Sequence, residues 1–536
     1  MNDRIIKYDL ELYTITPISV GNDESSDFSP YTDYIQDGKE IIILDNDKIN
    51  AILEKSHELV DLYVKGVGRM DKSKTRSEFD FKSFIKNKLN ADIDSLTKKK
   101  FTVYGNTGKA AIKACMSSSG RYFIPGSTLK GGIRTALIYD WLTSDNDGKI
   151  IINNIIKETE RTYERIMALL EKKARDGDRL SFDDDKTLKE LRNSFTNKRL
   201  FGRIYDESVL FGLTNKEGSD ARYLQVSDTG FFKDGEMKVY NTNRVKLRFP
   251  GEKNPIWKLS VSENVSTDFS LSLVNEFRNG FLKKLNKNGI KEIFKTLNKF
   301  SLASAEMESQ QISDSGFAGK EAYASVYEFY ESLKTEIQSP GIEYGVMRSG
   351  AGKTFFDNSI GLAIYWQNPE TFNKYRKLLE LGKNPKTKEL SEGRFPSTRS
   401  FIEFNGRYAP PGWLRAGNIE NISRTPIFTG FDISQFDFTK EEANTETTVQ
   451  DVKATIAKRP PNSVIAELID ITGNKPKVRI KEGQFEGKET ELHKVIVSTA
   501  KLKSGDEIYV ALDVIKVKNE KRLQGAAYLS KTDKTG

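Results

Sequence analysis

The chain has 536 residues, of which 37% are hydrophobic and 30% charged, and 84 Lys and Arg against 76 Asp and Glu give a net charge of +8. This length predicts roughly two to four domains, and 31 Phe, 21 Tyr and 4 Trp supply enough bulk for real cores. A single cysteine excludes an internal disulfide and a Cys-based zinc site, and two histidines argue against a His-rich metal centre. No apolar run approaches about 18 residues and the start lacks a signal-peptide pattern, so we expect a soluble cytoplasmic protein with no membrane contact.

The first 100 residues mix strand and helix signals. Residues 8–20 alternate between apolar and polar side chains with the period of two that is typical of a half-buried strand. A short apolar run at 40–45 predicts a second strand, and a helical pattern follows from Asp47 to about Lys65. Residues 72–100 are highly charged and are expected at the surface.

Residues 121–142 are the most informative segment. Residues 121–125 predict a strand, Gly126 a turn, and Ser127 the N-cap of a helix. The packing stripe of that helix comprises Leu129, Ile133, Ala136, Leu137 and Trp141. Lys130 and Arg134 are four residues apart and share a different face.

The middle of the chain alternates again between helical and strand-like stretches. Residues 150–200 and 275–337 predict helical insertions, and strand signals recur at 224–228 and 257–273. A glycine-rich loop is expected at 341–354, and residues 394–415 are predicted to be turn-rich with several aromatic residues.

The C-terminal region differs from the rest in composition. Residues 439–462 have the polar, Thr- and Pro-containing composition of a linker, which would separate a body at 1–438 from residues 463–536. Five short strand candidates beyond the linker predict a small β-barrel, with the oligonucleotide-binding barrel as the leading candidate. Residues 443–536 hold 17 basic and 13 acidic side chains, so they carry half of the net charge.

The start of the helix near residue 126 is a candidate site for phosphate or RNA. Unpaired N–H groups at a helix N-terminus attract anions, and Lys130 and Arg134 would extend that positive surface. Gly131 and Gly132 each cost about 1 kcal/mol relative to Ala inside a helix, which a close approach of phosphate or of another backbone would offset. Tight packing of the helix on a sheet is the alternative explanation of the two glycines.

The glycine loop is a second candidate. A phosphate loop requires G-x-x-x-x-G-K-[ST], and the position five residues before Gly352 is Met347, so a nucleotide-binding loop is not favoured. A flexible loop at Gly350 and Gly352, with Arg348 and Lys353 placed for a sugar–phosphate backbone, suits these residues better. A purely structural turn remains the alternative.

Aromatic residues near basic ones are a third candidate, because rings stack on bases while arginines hold phosphates. Trp413, Arg399 and Arg415 are predicted RNA contacts of this kind, against the alternative of core packing. No catalytic constellation, metal site or cofactor site emerges. His57 as a general base, and Asp23 or Asp33 as metal or cleavage groups, are the only catalytic candidates, and His493 is assigned no role.

Several segments in this order resemble the RAMP superfamily of CRISPR proteins, and most closely the type III-A Csm-complex subunit at the 3′ end of the guide RNA. The characteristic stretch is Phe-Ile-Pro-Gly-Ser-Thr-Leu-Lys-Gly-Gly-Ile-Arg-Thr at 123–135. The segments that support it by their order are 14–21, 226–228, 345–354, 398–399 and 411–413. The resemblance covers about residues 5–430, and both the segment after about 440 and the long insertion at 150–200 depart from the family pattern.

The resemblance implies an α+β fold with a ferredoxin-like, RRM-type βαββαβ core and helical insertions. It also implies a non-catalytic subunit that binds the 3′ part of the CRISPR RNA (crRNA), ends the filament of backbone subunits, contacts the small helical subunit and aids maturation by trimming nucleases. By position, Gly126, Ser127, Lys130, Gly131 and Arg134 would follow the guide backbone, and Gly350, Gly352 and Lys353 would form the glycine loop.

Two other functions stay open from the residues. One is a RAMP endoribonuclease that processes guide RNA with His57 or cleaves target RNA with a loop aspartate such as Asp23. The other is an ATP-dependent machine that would need Lys353.

Overall fold

A computed structural model describes residues 4–22, 26–68, 79–177, 179–196, 208–212, 218–246, 255–315, 321–383, 395–435, 464–470, 476–493, 504–517 and 520–531. The chain divides into two compact units, Met1–Glu442 and Ala443–Gly536. The predicted linker at 439–462 lies outside the described residues, as does Asp23.

Helices and strands are mixed throughout the first unit, as the α+β class predicts. Its strands are β1 (Ile5–Thr14), β2 (Tyr34–Asp37), β3 (Glu40–Leu44), β4 (Thr97–Tyr104), β5 (Ile112–Lys113), β6 (Ser117–Ser118), β7 (Arg121–Tyr122), β8 (Leu224–Val226), β9 (Met237–Lys246), β10 (Pro255–Val261), β11 (Ser266–Val274), β12 (Tyr344–Arg348), β13 (Thr398–Phe404), β14 (Arg407–Ala409) and β15 (Trp413–Gly417). Its helices are α1 (Asn46–Leu53), α2 (His57–Gly68), α3 (Phe81–Asn87), α4 (Ile93–Leu96), α5 (Gly126–Ser144), α6 (Asn146–Arg175), α7 (Phe182–Thr196), α8 (Ser208–Phe211), α9 (Lys284–Asp314), α10 (Glu321–Ile337), α11 (Gly361–Gln367) and α12 (Pro369–Leu378).

The first sheet has five strands in the order β12-β15-β1-β11-β8, and every neighbouring pair is antiparallel. Because β1, β8 and β12 therefore run in the same direction, their C-terminal ends meet at one edge of the sheet. The loops that leave this edge begin at Ile15, Ser227 and Ser349. Two of the candidate RNA-binding segments, the start of α5 and the glycine loop, lie at this edge.

Helices α5 and α9 cover the first sheet. The predicted stripe on α5 is buried in the main core together with residues of β1 and β11 such as Leu12 and Leu271. Helix α9 packs on both α5 and β12. Burial of these apolar side chains is the dominant stabilising term for this layer.

The second sheet runs β14-β13-β9-β4-β3-β2, and β10 pairs with both β9 and β5. Beside it, α1, α3 and α4 bury a smaller cluster that includes Leu53, Phe81, Phe84 and Ile85. The prediction of a charged surface over 72–100 is therefore wrong for Phe81–Asn87, because three side chains of that helix are buried.

The second unit is a closed five-stranded barrel. Its strands are β16 (Val464–Asp470), β17 (Lys477–Ile480), β18 (Glu489–His493), β19 (Glu507–Val517) and β20 (Glu520–Lys531), in the order β16-β17-β18-β20-β19. Its buried cluster includes Ala466, Leu468, Val478, Ile480 and Ile508. The alternation of buried and exposed residues along β17 is the period of two that predicted a strand there.

Two local predictions fail. Residues 344–348 form a strand in which all five residues are buried, so the glycine loop begins only after Arg348. Residues 394–415 were predicted to be turn-rich, but they contribute three strands to the two sheets, β13, β14 and β15.

Candidate nucleic-acid interface

One face of α5 carries the predicted RNA-binding residues. Ser127, Lys130, Gly131 and Arg134 are spaced by three, one and three residues, which places them along one face of a helix. Ser127 is exposed, and the other three are partly exposed. We call these four residues the α5 face. The packing stripe points away from it into the core.

The start of α5 differs from the prediction in its cap. Pro125 is the N-cap and Ser127 lies in the first turn. The backbone N–H of Gly126 donates to the carboxylate of Asp228 (N···Oδ1 2.7 Å), so one of the unpaired donors of the helix start already has an anionic partner. A Cβ at position 126 would lie 2.3 Å from the carbonyl oxygen of Val226, which explains the glycine there.

The two glycines inside α5 have different surroundings. A Cβ at Gly132 would meet the terminal methyl carbon of Met347 at 2.3 Å, which is the packing explanation. A Cβ at Gly131 would meet nothing within 4 Å, so no contact within the described part of the chain requires a glycine there. No contact among the described residues therefore offsets the free-energy cost of placing a glycine at position 131 of the helix.

The cations of the α5 face lie close together. Burial lowers the pKa of Lys130, and the neighbouring charge of Arg134 lowers it further. The guanidinium carbon of Arg134 lies 5.5 Å from the ring centroid of Phe211. Among the described residues, no carboxylate forms an ion pair with Lys130. An anion bound at this face would relieve the repulsion between the two cations.

The glycine loop is held tightly at the same edge of the first sheet. Gly350 and Gly352 have positive φ of +70° and +108°. A Cβ at Gly350 would lie 2.5 Å from the carbonyl oxygen of Ser19, and one at Gly352 would lie 2.4 Å from Cγ of Pro411. Ala351 N–H also donates to the carbonyl of Ser19 (2.7 Å). The positive φ angles and the close contacts are therefore sufficient to explain both glycines without a bound ligand.

Lys353 is the basic residue of this loop that stays partly exposed. Burial lowers the pKa of its ammonium, with Asp357 opposing and Arg348 adding to the effect. The hydroxyls of Ser349 and Thr354 are buried without a hydrogen-bond partner among the described residues. The loop therefore places one cation and two unpaired hydroxyls close together in the chain.

Arg348 and Trp413 are interior residues, so they are removed from the predicted RNA surface. The Arg348 side chain is 3% exposed and forms an ion pair with Asp357 (Nη1···Oδ2 3.1 Å), and its guanidinium carbon lies 5.7 Å from the Trp413 ring centroid. Trp413 is fully buried. Arg348 on β12 and Trp413 on β15 are paired with each other in the first sheet. Their burial agrees with the alternative explanation of core packing.

Arg399 and Arg415 are likewise buried and paired. Arg399 binds Glu308 (Nε···Oε2 2.6 Å), and both side chains are 1% exposed. Arg415 binds Glu336 through two hydrogen bonds of 2.6 Å each. A guanidinium whose donors are directed to a buried carboxylate is not available to a phosphate, so the prediction of RNA contact is wrong for both in this structure.

The catalytic candidates within the described residues, His57 and Asp33, have the surroundings of ordinary surface and turn residues. His57 is exposed at the first position of α2. The Asp33 carboxylate accepts from the N–H of Ser29 (2.7 Å) and the side-chain amide of Asn46 (2.9 Å), which is the role of a turn residue. His493 ends β18 in the other unit. Within the described ranges no group of three His, Cys, Asp or Glu could hold a metal ion, and no helix there has the length and apolarity to cross a membrane.

One cluster near the start of α5 was missed from the sequence. The guanidinium carbon of Arg121 lies 3.9 Å from the ring centroid of Phe231, and the Phe231 ring meets Phe123 edge-on with centroids 6.1 Å apart. The sequence places Phe123 in a predicted strand and in the characteristic stretch at 123–135, but gives no sign of an aromatic partner. Its partner Phe231 is 108 positions away, so no local pattern joins them.

The family model of the RAMP superfamily matches residues 11–338, more than half of the chain. The chain belongs to the RAMP superfamily. This confirms the resemblance that residues 123–135 carried. The RAMP match includes the end of β1 and all of α5, β8 and β11, and it ends before β12.

Individual relatives are distant but cover most of the chain. A protein of Methanocaldococcus jannaschii named CRISPR system Cms protein Csm5 is 23% identical over 434 residues, which are 78% of this chain and 90% of the relative. A chain of a Csm–crRNA–target RNA ternary complex from a type III-A CRISPR-Cas system, solved by cryo-EM, is similar with a TM-score of 0.52 and 21% identity, over 76% of this chain and 99% of that chain. The crystal structure of T. onnurineus Csm5 gives a TM-score of 0.45 and 19% identity, over 75% of this chain and 99% of that chain.

Proposed function

We propose that this chain is a cytoplasmic, non-catalytic RNA-binding subunit of a type III-A Csm complex. In this role it binds the 3′ part of the crRNA, ends the filament of backbone RAMP subunits, contacts the small helical subunit and aids maturation by host trimming nucleases. Membership of the RAMP superfamily and the sequence relative named Csm5, 90% of which is covered, support the assignment.

The observation that carries RNA binding is the α5 face. It combines two neighbouring cations, an exposed hydroxyl at Ser127 and a glycine whose missing side chain leaves open space. Lys130 and Arg134 are placed to neutralise phosphates, and Gly131 lets a sugar–phosphate backbone approach the helix closely. Gly350, Gly352 and Lys353 continue this surface in our proposal, with Lys353 as the third cation.

The arrangement of strands supports a ferredoxin-like core. In the order β15-β1-β11-β8 all neighbours are antiparallel. In the chain, α5 lies between β1 and β8, and α9 lies between β11 and β15. A βαββαβ unit has this alternation of strands and helices. We interpret β12 as an added strand at the outer side of β15.

The experiment that tests RNA binding is the salt dependence of affinity. Lys130→Ala combined with Arg134→Ala should weaken binding of a single-stranded crRNA 3′ fragment and reduce the slope of log K against log salt by about one to two units, because each lost phosphate contact contributes about 0.7. The matched control is Lys157→Ala with Arg161→Ala on α6, which removes the same two residue types at the same spacing from exposed positions. An unchanged slope in the α5 variant would contradict the proposal.

A separate assay tests the absence of catalysis. The purified chain is incubated with repeat RNA and target RNA, with and without magnesium. We expect both RNAs to stay intact. Cleavage that is lost in His57→Ala or Asp23→Ala would establish the endoribonuclease instead. Nucleotide binding abolished by Lys353→Ala would establish an ATP-dependent function.

We propose that the C-terminal barrel is an oligonucleotide-binding (OB) fold that adds a nucleic-acid or protein contact. Its strand order and the parallel pairing of β18 with β20 support this interpretation. On β17, Lys477 and Arg479 are exposed, and Arg479 forms an ion pair with Glu489 (2.7 Å). Deletion of residues 447–536 should leave the first unit folded, and loss of cooperative melting in the truncated protein would refute this boundary.

A further inference from the structure

An aromatic cluster is exposed beside the start of α5. Phe231 keeps 46% of its surface exposed, although it is a large apolar residue. Arg121 stacks over it at 3.9 Å, and Phe123 meets it edge-on at 6.1 Å. Arg121 is exposed, and none of the carboxylates among the described residues forms an ion pair with it.

The backbone holds this cluster in place. Phe232 N–H donates to the carbonyl of Tyr122 (2.9 Å), and Ile124 and Thr229 exchange two hydrogen bonds. Phe232 is buried while Phe231 points outward, as expected for successive residues of an extended segment. The position of the Phe231 ring is therefore set by a segment that is paired on both sides of it.

The cluster is close to the α5 face. Phe123 precedes Ser127, the first residue of the α5 face, by four residues, a distance of at most about 14 Å along an extended chain. The hydrogen bond from Gly126 N–H to Asp228 joins the same two segments at the helix start. A strand of a few nucleotides spans this distance.

We propose that an unpaired nucleobase of RNA stacks on the Arg121–Phe231 pair while the phosphates next to it lie on the α5 face. This rests on the proposed RNA-binding function and adds to it a requirement for single-stranded RNA. Unpaired bases stack on aromatic rings and on guanidinium planes, whereas bases inside a duplex are already stacked. Stacking depends little on base identity, because every base offers a π-face.

The test compares variants of the full chain for binding of a single-stranded RNA and of the corresponding duplex. Phe231→Ala should weaken binding of the single strand by about 5- to 100-fold without changing the salt slope, and Phe231→Trp should keep the affinity. Arg121→Lys keeps the charge but removes the planar group, so it should weaken binding at an unchanged slope. The matched control is Phe182→Ala on α7, which removes an even more exposed ring (83%) that is not part of the proposed interface.

The outcomes separate the two proposals. Phe231→Ala could bind single-stranded RNA as tightly as Phe182→Ala does, while Lys130→Ala with Arg134→Ala still lowers the salt slope. The stacking inference would then be wrong, but the proposed RNA binding would stand. The exposed Phe231 ring would in that case suit a protein contact. If the unaltered chain binds neither RNA, both proposals are wrong. Equal losses for duplex and single strand in Phe231→Ala would also contradict stacking of an unpaired base.

Discussion

Two groups of basic side chains in this molecule differ in what surrounds them. Lys130 and Arg134 lie on a partly exposed helix face next to a glycine with open space above it. Arg399 and Arg415 are buried and held by Glu308 and Glu336. Lys130 forms no ion pair among the described residues, so its charge is available to a ligand, whereas Arg399 and Arg415 direct their donors to carboxylates inside the fold. Proximity of arginines to aromatic residues in a sequence does not distinguish the two groups.

The largest effect is expected from breaking a buried pair. Arg399→Ala leaves the Glu308 carboxylate buried without its cation, which should lower the free energy of unfolding by about 3–5 kcal/mol. Thermal unfolding measures this as a lower melting temperature. Lys130→Ala is the control from the other group and should leave the melting temperature nearly unchanged. Equal melting temperatures for the two variants would show that the buried and exposed groups do not differ in this way.

The buried end of α5 should give a pH-dependent effect. Burial alone would raise the pKa of Asp140, but hydrogen bonds from Lys284 and Lys299 outweigh it and lower the pKa to about 2. Since the folded pKa is lower than the unfolded one, this stabilisation is present above about pH 4 and is lost as the pH falls toward 2. It amounts to about 2 kcal/mol.

The measurement is the melting temperature of the unaltered chain and of Asp140→Asn between about pH 5 and 2. The difference between them should shrink as the pH falls. Asp184→Asn is the control, because Asp184 is paired with Lys172 at a partly exposed position, where solvent weakens the interaction. A difference for Asp140→Asn that stays constant over this range would contradict the lowered pKa.

The glycines of α5 should show the smallest effects, in opposite directions. Gly126→Ala places a Cβ against the carbonyl oxygen of Val226 and should lower stability by roughly 1–2 kcal/mol. Gly131→Ala meets nothing within 4 Å and should raise stability by about 1 kcal/mol, because Ala is the better helix former. If RNA approaches the helix at Gly131, the same substitution should weaken RNA affinity. Higher stability with unchanged affinity would remove Gly131 from the interface.

Much of the fold is predictable from local patterns. The apolar stripe of α5 and the alternation along β17 each report burial directly, and the structure has a helix and a strand there. Strand β12 was missed because all five of its residues are buried, so no alternation marks it. The start of α5 was misjudged because the partner of Gly126, Asp228, is 102 residues away.

The site was predictable only where it is local. The α5 face follows from helical spacing over eight residues. The buried arginines could not be recognised in the same way, because Arg399 and Glu308 are 91 residues apart and Arg415 and Glu336 are 79 apart. The cluster of Arg121 and Phe231 also depends on two distant segments. Whether these side chains are buried or exposed depends on contacts with charges and rings that are distant in the sequence.

Photo-crosslinking from Ser127 tests the central claim most directly. A photoreactive phenylalanine analogue replaces Ser127, which is exposed on the α5 face, and the control carries it at the exposed Lys157 of α6. The assembled complex is irradiated, and the crosslinked RNA is mapped. The proposal predicts a crosslink from position 127 to the 3′ part of an intact crRNA, and a much weaker one from position 157. No crosslink at 127, in a complex that still contains crRNA, would contradict it.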